Sequence, residues 1–183
     1  MKRLPVVAVC AERLSLNDVK ALARDLHGNP ERIALWVEEM TACDDRRAMM
    51  NMAWVLTHLD KEDKLDSLVP LRDKLIDFAM GNLPVRRGII LSLLLDLPAG
   101  SDLRVDFLNY CLEHIGDVTE HDSTRASMIH LSARMCRPYP ELMGELNRIL
   151  ELLPPGLPPS IACAKRKVQC NVAPGFNGGR SGR

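Results

Sequence analysis

Three segments of the chain, Asp44-Asp45-Arg46-Arg47-Ala48, Leu83-Pro84-Val85-Arg86-Arg87-Gly88 and Asp122-Ser123-Thr124-Arg125-Ala126, each set an arginine before a small residue at the head of an apolar helical run. Arg47 to Arg87 is 40 positions and Arg87 to Arg125 is 38. A recurrence of that length is the period of stacked helical hairpins. Each hairpin is too small to bury its own apolar face, so successive units must cover one another. The pattern constrains architecture far more than activity.

Apolar residues recur three and four apart, punctuation arrives as short Pro, Gly, Asn and Asp clusters, and strand signals are nearly absent. Together these predict an all-helical chain. Ser15 or Asn17 caps a first helix running to about His27, and Gly28-Asn29-Pro30 closes it and opens a second over 30–41. Asp44 or Asp45 caps a helix over 46–59 that is apolar around most of its circumference and is therefore covered on several sides. A charged connector over 60–64 leads to a helix over 67–80. Pro84 starts a helix over 85–97, Ser101 or Asp102 one reaching 115, and Asp122 or Ser123 one reaching 136. Amphipathic helices follow over 142–153 and 160–169. The expected organisation is a single helical repeat domain over 1–170, with 1–14 a poorly defined lead-in. The tail over 171–183, with Gly, Asn, Arg and one Phe, is expected to be disordered.

Twenty-four basic residues balance 24 acidic ones, so no overall field holds the chain on a polyanion or an acidic lipid surface. The balance is uneven along the chain. Beyond Leu152 there is no acid, and Lys165, Arg166, Lys167, Arg180 and Arg183 leave the first 151 residues with 19 basic against 24 acidic side chains. Six cysteines without a Cys-x-x-Cys pair, several inside apolar runs, read as reduced thiols of a cytoplasmic protein. The opening Met1-Lys2-Arg3 with apolar residues to Ala11 has some character of a secretory signal, but Pro5 interrupts it and no small-x-small cleavage site follows. The longest apolar stretch elsewhere, 88–95, is eight residues, far short of the roughly 20 that span a bilayer. No membrane association is expected.

With the helix pairs laid out, the chain resembles the HEAT-like members of the armadillo-type α-solenoid superfamily. The match is closest at Pro84-Val85-Arg86-Arg87 with Leu91, Leu94 and Leu95, fair at Asp45-Arg46-Arg47-Ala48, and weaker at Asp122-Ser123-Thr124-Arg125-Ala126. The resemblance covers about 29–169 and is nearest to small single-domain bacterial HEAT-like proteins without an assigned activity. It implies an α-solenoid of about four antiparallel hairpins with a leading helix. In such stacks the second helices line a concave surface that holds a protein or, in some branches, a nucleic acid.

On that implied surface the residues to weigh are Arg47, Asn51, Trp54, His58, Arg87 and Arg125. Asn51, Trp54 and His58 follow Arg47 at four, seven and eleven positions, one face of a helix. Tryptophan and arginine supply the large apolar area and directional donors typical of binding hot spots, although a Trp in an apolar helix more commonly belongs to the core. Trp36 is read as core. The three arginines admit two readings. They form a structural ladder, each guanidinium bonding a helix-end carbonyl or a neighbouring Asp, or a basic line that receives a partner's carboxylates or phosphates.

Catalytic chemistry finds no support. Adjacent pairs such as Glu38-Glu39 and Asp44-Asp45 do not face each other on a helix. Phosphate-loop, dinucleotide, nucleophile-elbow and zinc-protease motifs are absent, so no enzyme activity and no cofactor are expected. Cys111, His114, His121, His130 and Cys136 lack the spacing of a zinc site, and no metal is expected there. The remaining rival is the HEAT-like DNA alkylation repair family, similar in architecture. A net acidic body argues against it, because neutralising phosphates supplies most of DNA affinity. The reading is a non-catalytic scaffold for a protein partner.

Overall fold

The computed structural model describes residues 6–81, 87–100 and 102–170. Among them are eleven α-helices and no strand, as the helical periodicity predicts. The chain divides after Tyr110 into two compact units. The first holds α1 (Val6–Ala11), α2 (Leu16–Leu26), α3 (Pro30–Thr41), α4 (Arg46–Thr57), α5 (Lys61–Asp63), α6 (Arg72–Met80), α7 (Arg87–Asp96) and the start of α8 (Val105–His114). The second holds the end of α8, then α9 (Asp122–Cys136), α10 (Pro140–Glu151) and α11 (Pro159–Cys170).

Local chemistry sets the early boundaries. Ser15 and Asp18 form a reciprocal capping box at α2: the Asp18 N–H donates to Ser15 Oγ at 3.3 Å and the Ser15 N–H to Asp18 Oδ2 at 2.8 Å. Gly28 turns the chain at a φ of 66°, left-handed backbone that an L side chain rarely adopts, and Pro30 opens α3 behind an Asn29 cap. Asp45 Oδ1 accepts the Ala48 N–H at 2.8 Å and starts α4.

α4 is the axis of the first unit, packed against α1, α2, α3 and α7. It buries Ala48, Met49, Met52, Ala53, Val55 and Leu56, the all-round coverage its composition predicts. Trp36 of α3 is 5% exposed and donates its indole N–H to the Met52 carbonyl at 3.1 Å, so the ring is core with its one polar atom satisfied. Within the stretch read as a poorly defined lead-in, α1 packs on α4 with Cys10 fully buried.

Several boundaries differ from expectation. His121, rather than Asp122 or Ser123, caps α9 by accepting the Ser123 N–H, and α10 runs over Pro140–Glu151 rather than 142–153 because Pro140 opens the helix instead of interrupting it. Residues 61–63 are helical, 64–68 continue as a widened π-helical turn, and α6 begins only at Arg72. The helix entering from Lys61 stops before Pro70, whose ring lacks an N–H and clashes with the carbonyl four residues back. α8 starts at Val105, later than a cap at Asp102 would place it, and Arg104, just ahead of it, reaches across to Asp73 and Asp77 of α6. Pro84-Val85-Arg86, Ser101 and the tail over 171–183 lie outside the described residues.

In the second unit α9 packs against both α10 and α11. It buries Thr124, Arg125, Met128, Ile129, Leu131, Ser132 and Cys136.

Candidate functional site

The Arg47, Asn51, Trp54 and His58 stripe does run along α4, but its members open onto two different recesses. Arg47, Asn51 and Trp54 line a mostly apolar groove of about 630 Å³ together with Arg13, Leu14, Met50 and Ile89. His58 lines a more polar cleft of about 620 Å³ shared with Asn17, Lys20, Arg24, His27, Asp60 and Asp63. Trp54 and His58 touch edge to face, with ring centroids 5.9 Å apart, one ring at each recess.

Asn51 is only 6% exposed. Its Nδ2 donates to the Cys10 carbonyl at 2.8 Å and to the Glu12 carbonyl at 3.0 Å, so the amide fastens the end of α1. Arg47 is exposed and makes no hydrogen bond or ion pair among the described residues. Arg13 is likewise exposed and unpaired there, which leaves two solvated cations beside an apolar wall and the half-buried Trp54.

The other two arginines of the repeat are committed. Arg87 donates Nε to the Ala79 carbonyl at 2.7 Å and Nη2 to the Gly81 carbonyl at 3.3 Å, the C-terminal end of α6, and lies 5.3 Å from the centre of the Tyr110 ring. Arg125 is 4% exposed and donates Nε to the Ile115 carbonyl at 2.8 Å, just past α8. Buried in this way, Arg125 has no surface to offer a partner. Both follow the ladder reading, in which a guanidinium satisfies carbonyls that a helix end leaves free.

The polar cleft holds a cluster that sequence spacing did not reveal. His27 Nδ1 stands 2.8 Å from Asp60 Oδ2 and 2.9 Å from Asp63 Oδ2. The hydrogen bond to Asp63, then the charges of Asp63 and Asp60, raise the His27 imidazole above its ordinary value. The Asp63 N–H bond, foremost, lowers Asp60. By contrast, Cys111, His114, His121, His130 and Cys136 do not form a metal-holding group among the described residues. Burial, and secondarily Lys167, lowers His130.

The architecture and these sites meet a family whose model is described as a HEAT repeat domain, which matches residues 8–172, from α1 through α11. The chain belongs to the HEAT repeat domain family. No curated protein and no solved structure matches it. HEAT repeat membership agrees with the all-helical content of the described residues. It supports a repeat scaffold and names no partner. Arg13, Leu14 and Ile89 were not singled out in the sequence. The available signal was Asn51, a polar amide inside an apolar helix that needed backbone acceptors, which α1 supplies.

Proposed function

We propose that this HEAT repeat protein is a non-catalytic scaffold that seats a protein segment in the groove between residues 13–14, α4 and Ile89. The observation that carries the reading is the pairing of two guanidinium groups unpartnered among the described residues, Arg13 and Arg47, with an apolar floor containing Met50, Trp54 and Ile89. An occupant of matching chemistry has an apolar anchor flanked by Asp or Glu. Arginine grips carboxylates bidentately and tryptophan contributes area at low entropic cost. The predominance of acid over base in the first 151 residues supports a protein over a nucleic-acid partner. Three thiols buried in the core, Cys10, Cys111 and Cys136, support a cytoplasmic location. Among the described residues no helix is long and apolar enough to cross a membrane.

A peptide-display selection on the full chain tests this. Selected peptides are expected to share an apolar residue next to acids, and an Arg13→Glu, Arg47→Glu double variant is expected to select basic residues in their place. Peptides indifferent to that reversal, or no enriched motif, would remove the groove as the docking site. A duplex-DNA titration at low and moderate salt separates the nucleic-acid reading, which requires tight and steeply salt-dependent binding.

A further inference from the structure

We propose that His27, Asp60 and Asp63 form a divalent-cation site for a six-coordinate first-row ion such as Mn2+, Co2+ or Ni2+, bound through one imidazole nitrogen and one oxygen of each carboxylate. The site lies in the polar cleft and stands independently of the peptide groove. Its ligand atoms come from the turn after α2 and from the start and end of α5, and all lie within 4.8 Å of one another.

Backbone donors set the arrangement. Asp63 is 8% exposed, and its Oδ1 accepts the Gly28 N–H at 2.9 Å, so Oδ2 is the oxygen turned to His27. Asp60 Oδ1 accepts the Asp63 N–H at 2.9 Å, which fixes that carboxylate in the same sense. Backbone donors thus hold one oxygen of each acid and leave the other for a cation.

Two of the three ligand spacings fit neighbouring positions of an octahedral ion. With metal–ligand bonds of about 2.0–2.1 Å, neighbouring ligands of an octahedral ion stand about 2.9 Å apart, whereas a tetrahedral ion sets them at about 3.4 Å. The two nitrogen–oxygen separations are 2.8 and 2.9 Å. A mixed imidazole and carboxylate set suits the harder first-row ions, and bound water fills the remaining positions. Nδ1 lies where either a proton or a metal ion bridges the carboxylates.

A second observation points into the same cleft. His58 Nδ1 lies 3.1 Å from the Trp54 carbonyl oxygen and 3.2 Å from Thr57 Oγ1, whose hydroxyl itself donates to that carbonyl at 2.7 Å, an arrangement that suits a proton on Nδ1. In that tautomer Nε2, which has no partner among the described residues, is the nitrogen open to a ligand, the form that a metal-ligating histidine takes when its other nitrogen is tied to a carbonyl. Lys20 and Arg24 also line the cleft, so the test is run without phosphate or carboxylate buffers.

The full chain is titrated with Mn2+ while the paramagnetic resonance signal of the free aqua ion is followed. Mn2+ avoids competition from the six cysteines, whose soft sulfur it binds poorly. One ion per chain, saturating below about 1 mM and weakened at least about tenfold in both His27→Ala and Asp60→Asn, is the expected result. Asparagine caps a helix as well as aspartate does, so Asp60→Asn removes a charged ligand and keeps the start of α5, and circular dichroism checks that the fold is retained. Binding weaker than about 1 mM, or binding unchanged in the two variants, overturns the assignment.

Discussion

Arg125 donates Nε to the Ile115 carbonyl at 2.8 Å from a position only 4% exposed, whereas Arg47, in the same place in its repeat, is exposed and has no partner among the described residues. Equivalent sequence positions therefore carry different free energies. Arg125→Ala strands a buried carbonyl and removes the packing of the side-chain stem, an expected loss of about 2–3 kcal/mol. Arg47→Ala is expected to stay within about 0.5 kcal/mol of the parent. Chemical denaturation of the two variants checks this, and equal losses would mean that the arginine register has one common role.

Arg104 gives the first unit an acid-sensitive clamp. Its Nε and Nη2 bond both oxygens of Asp106 at 2.9 and 2.7 Å, while its Nη groups reach Asp73 at 3.1 Å and Asp77 at 2.6 Å on α6. The bond from Arg104, ahead of any other cause, lowers the Asp106 carboxyl to about 2. A carboxyl lowered in the folded state binds fewer protons there than in the unfolded chain. Its stabilisation is complete above the unfolded value of about 4 and disappears as pH falls toward 2. Arg104→Met is expected to be less stable than the parent at pH 6, with the gap in urea midpoint closing as pH approaches 2. A gap that does not change with pH would assign the loss to packing alone.

The fold was legible where local chemistry and periodicity agreed. Pro30 and Thr41 bound α3 as expected, Asp45 caps α4, and Trp36 is core, because each depends on neighbours in sequence. α5 and the late start of α6 escaped because a charged 60–64 segment reads as a connector, although Asp60 supplies an N-cap, and because Pro70 interrupts an otherwise periodic face. The sites were legible only in part. The α4 stripe is real, but Arg13 and Ile89 join it through tertiary packing, and His27 meets Asp60 and Asp63 across more than thirty residues with no shared motif.

The thiols should react in sequence with exposure. Burial, with the nearby Cys43 adding to it, pushes the Cys10 thiol up to about 11, and burial pushes Cys136 up to about 11, whereas Cys170 is exposed. At pH 8 a thiol titrating at 11 is thiolate about one time in a thousand, and it is also shielded. With an aromatic disulfide reagent, Cys170 is expected in the fast phase, while Cys10 and Cys136 react only at the rate of unfolding. Mass-spectrometric mapping of the modified sites gives the order, and early modification of Cys136 would contradict its placement in the core of the second unit.

Asn51 joins fold and proposed function. Its amide nitrogen serves two carbonyls at the end of α1, the segment that leads directly to Arg13 and Leu14 on the groove wall. Asn51→Ala deletes two hydrogen bonds and leaves the carbonyls unsatisfied, an expected cost of about 1–3 kcal/mol. Asn51→Asp is expected to be worse, because a carboxylate then opposes two carbonyl oxygens in a buried place. Both variants should raise amide exchange over residues 6–14, shift Trp54 emission to the red and weaken binding of the selected acidic peptides, while Trp36 stays buried. Faster exchange over 6–14 with unchanged peptide affinity would show that the α1 wall takes no part in docking and confine the groove to α4 and Ile89.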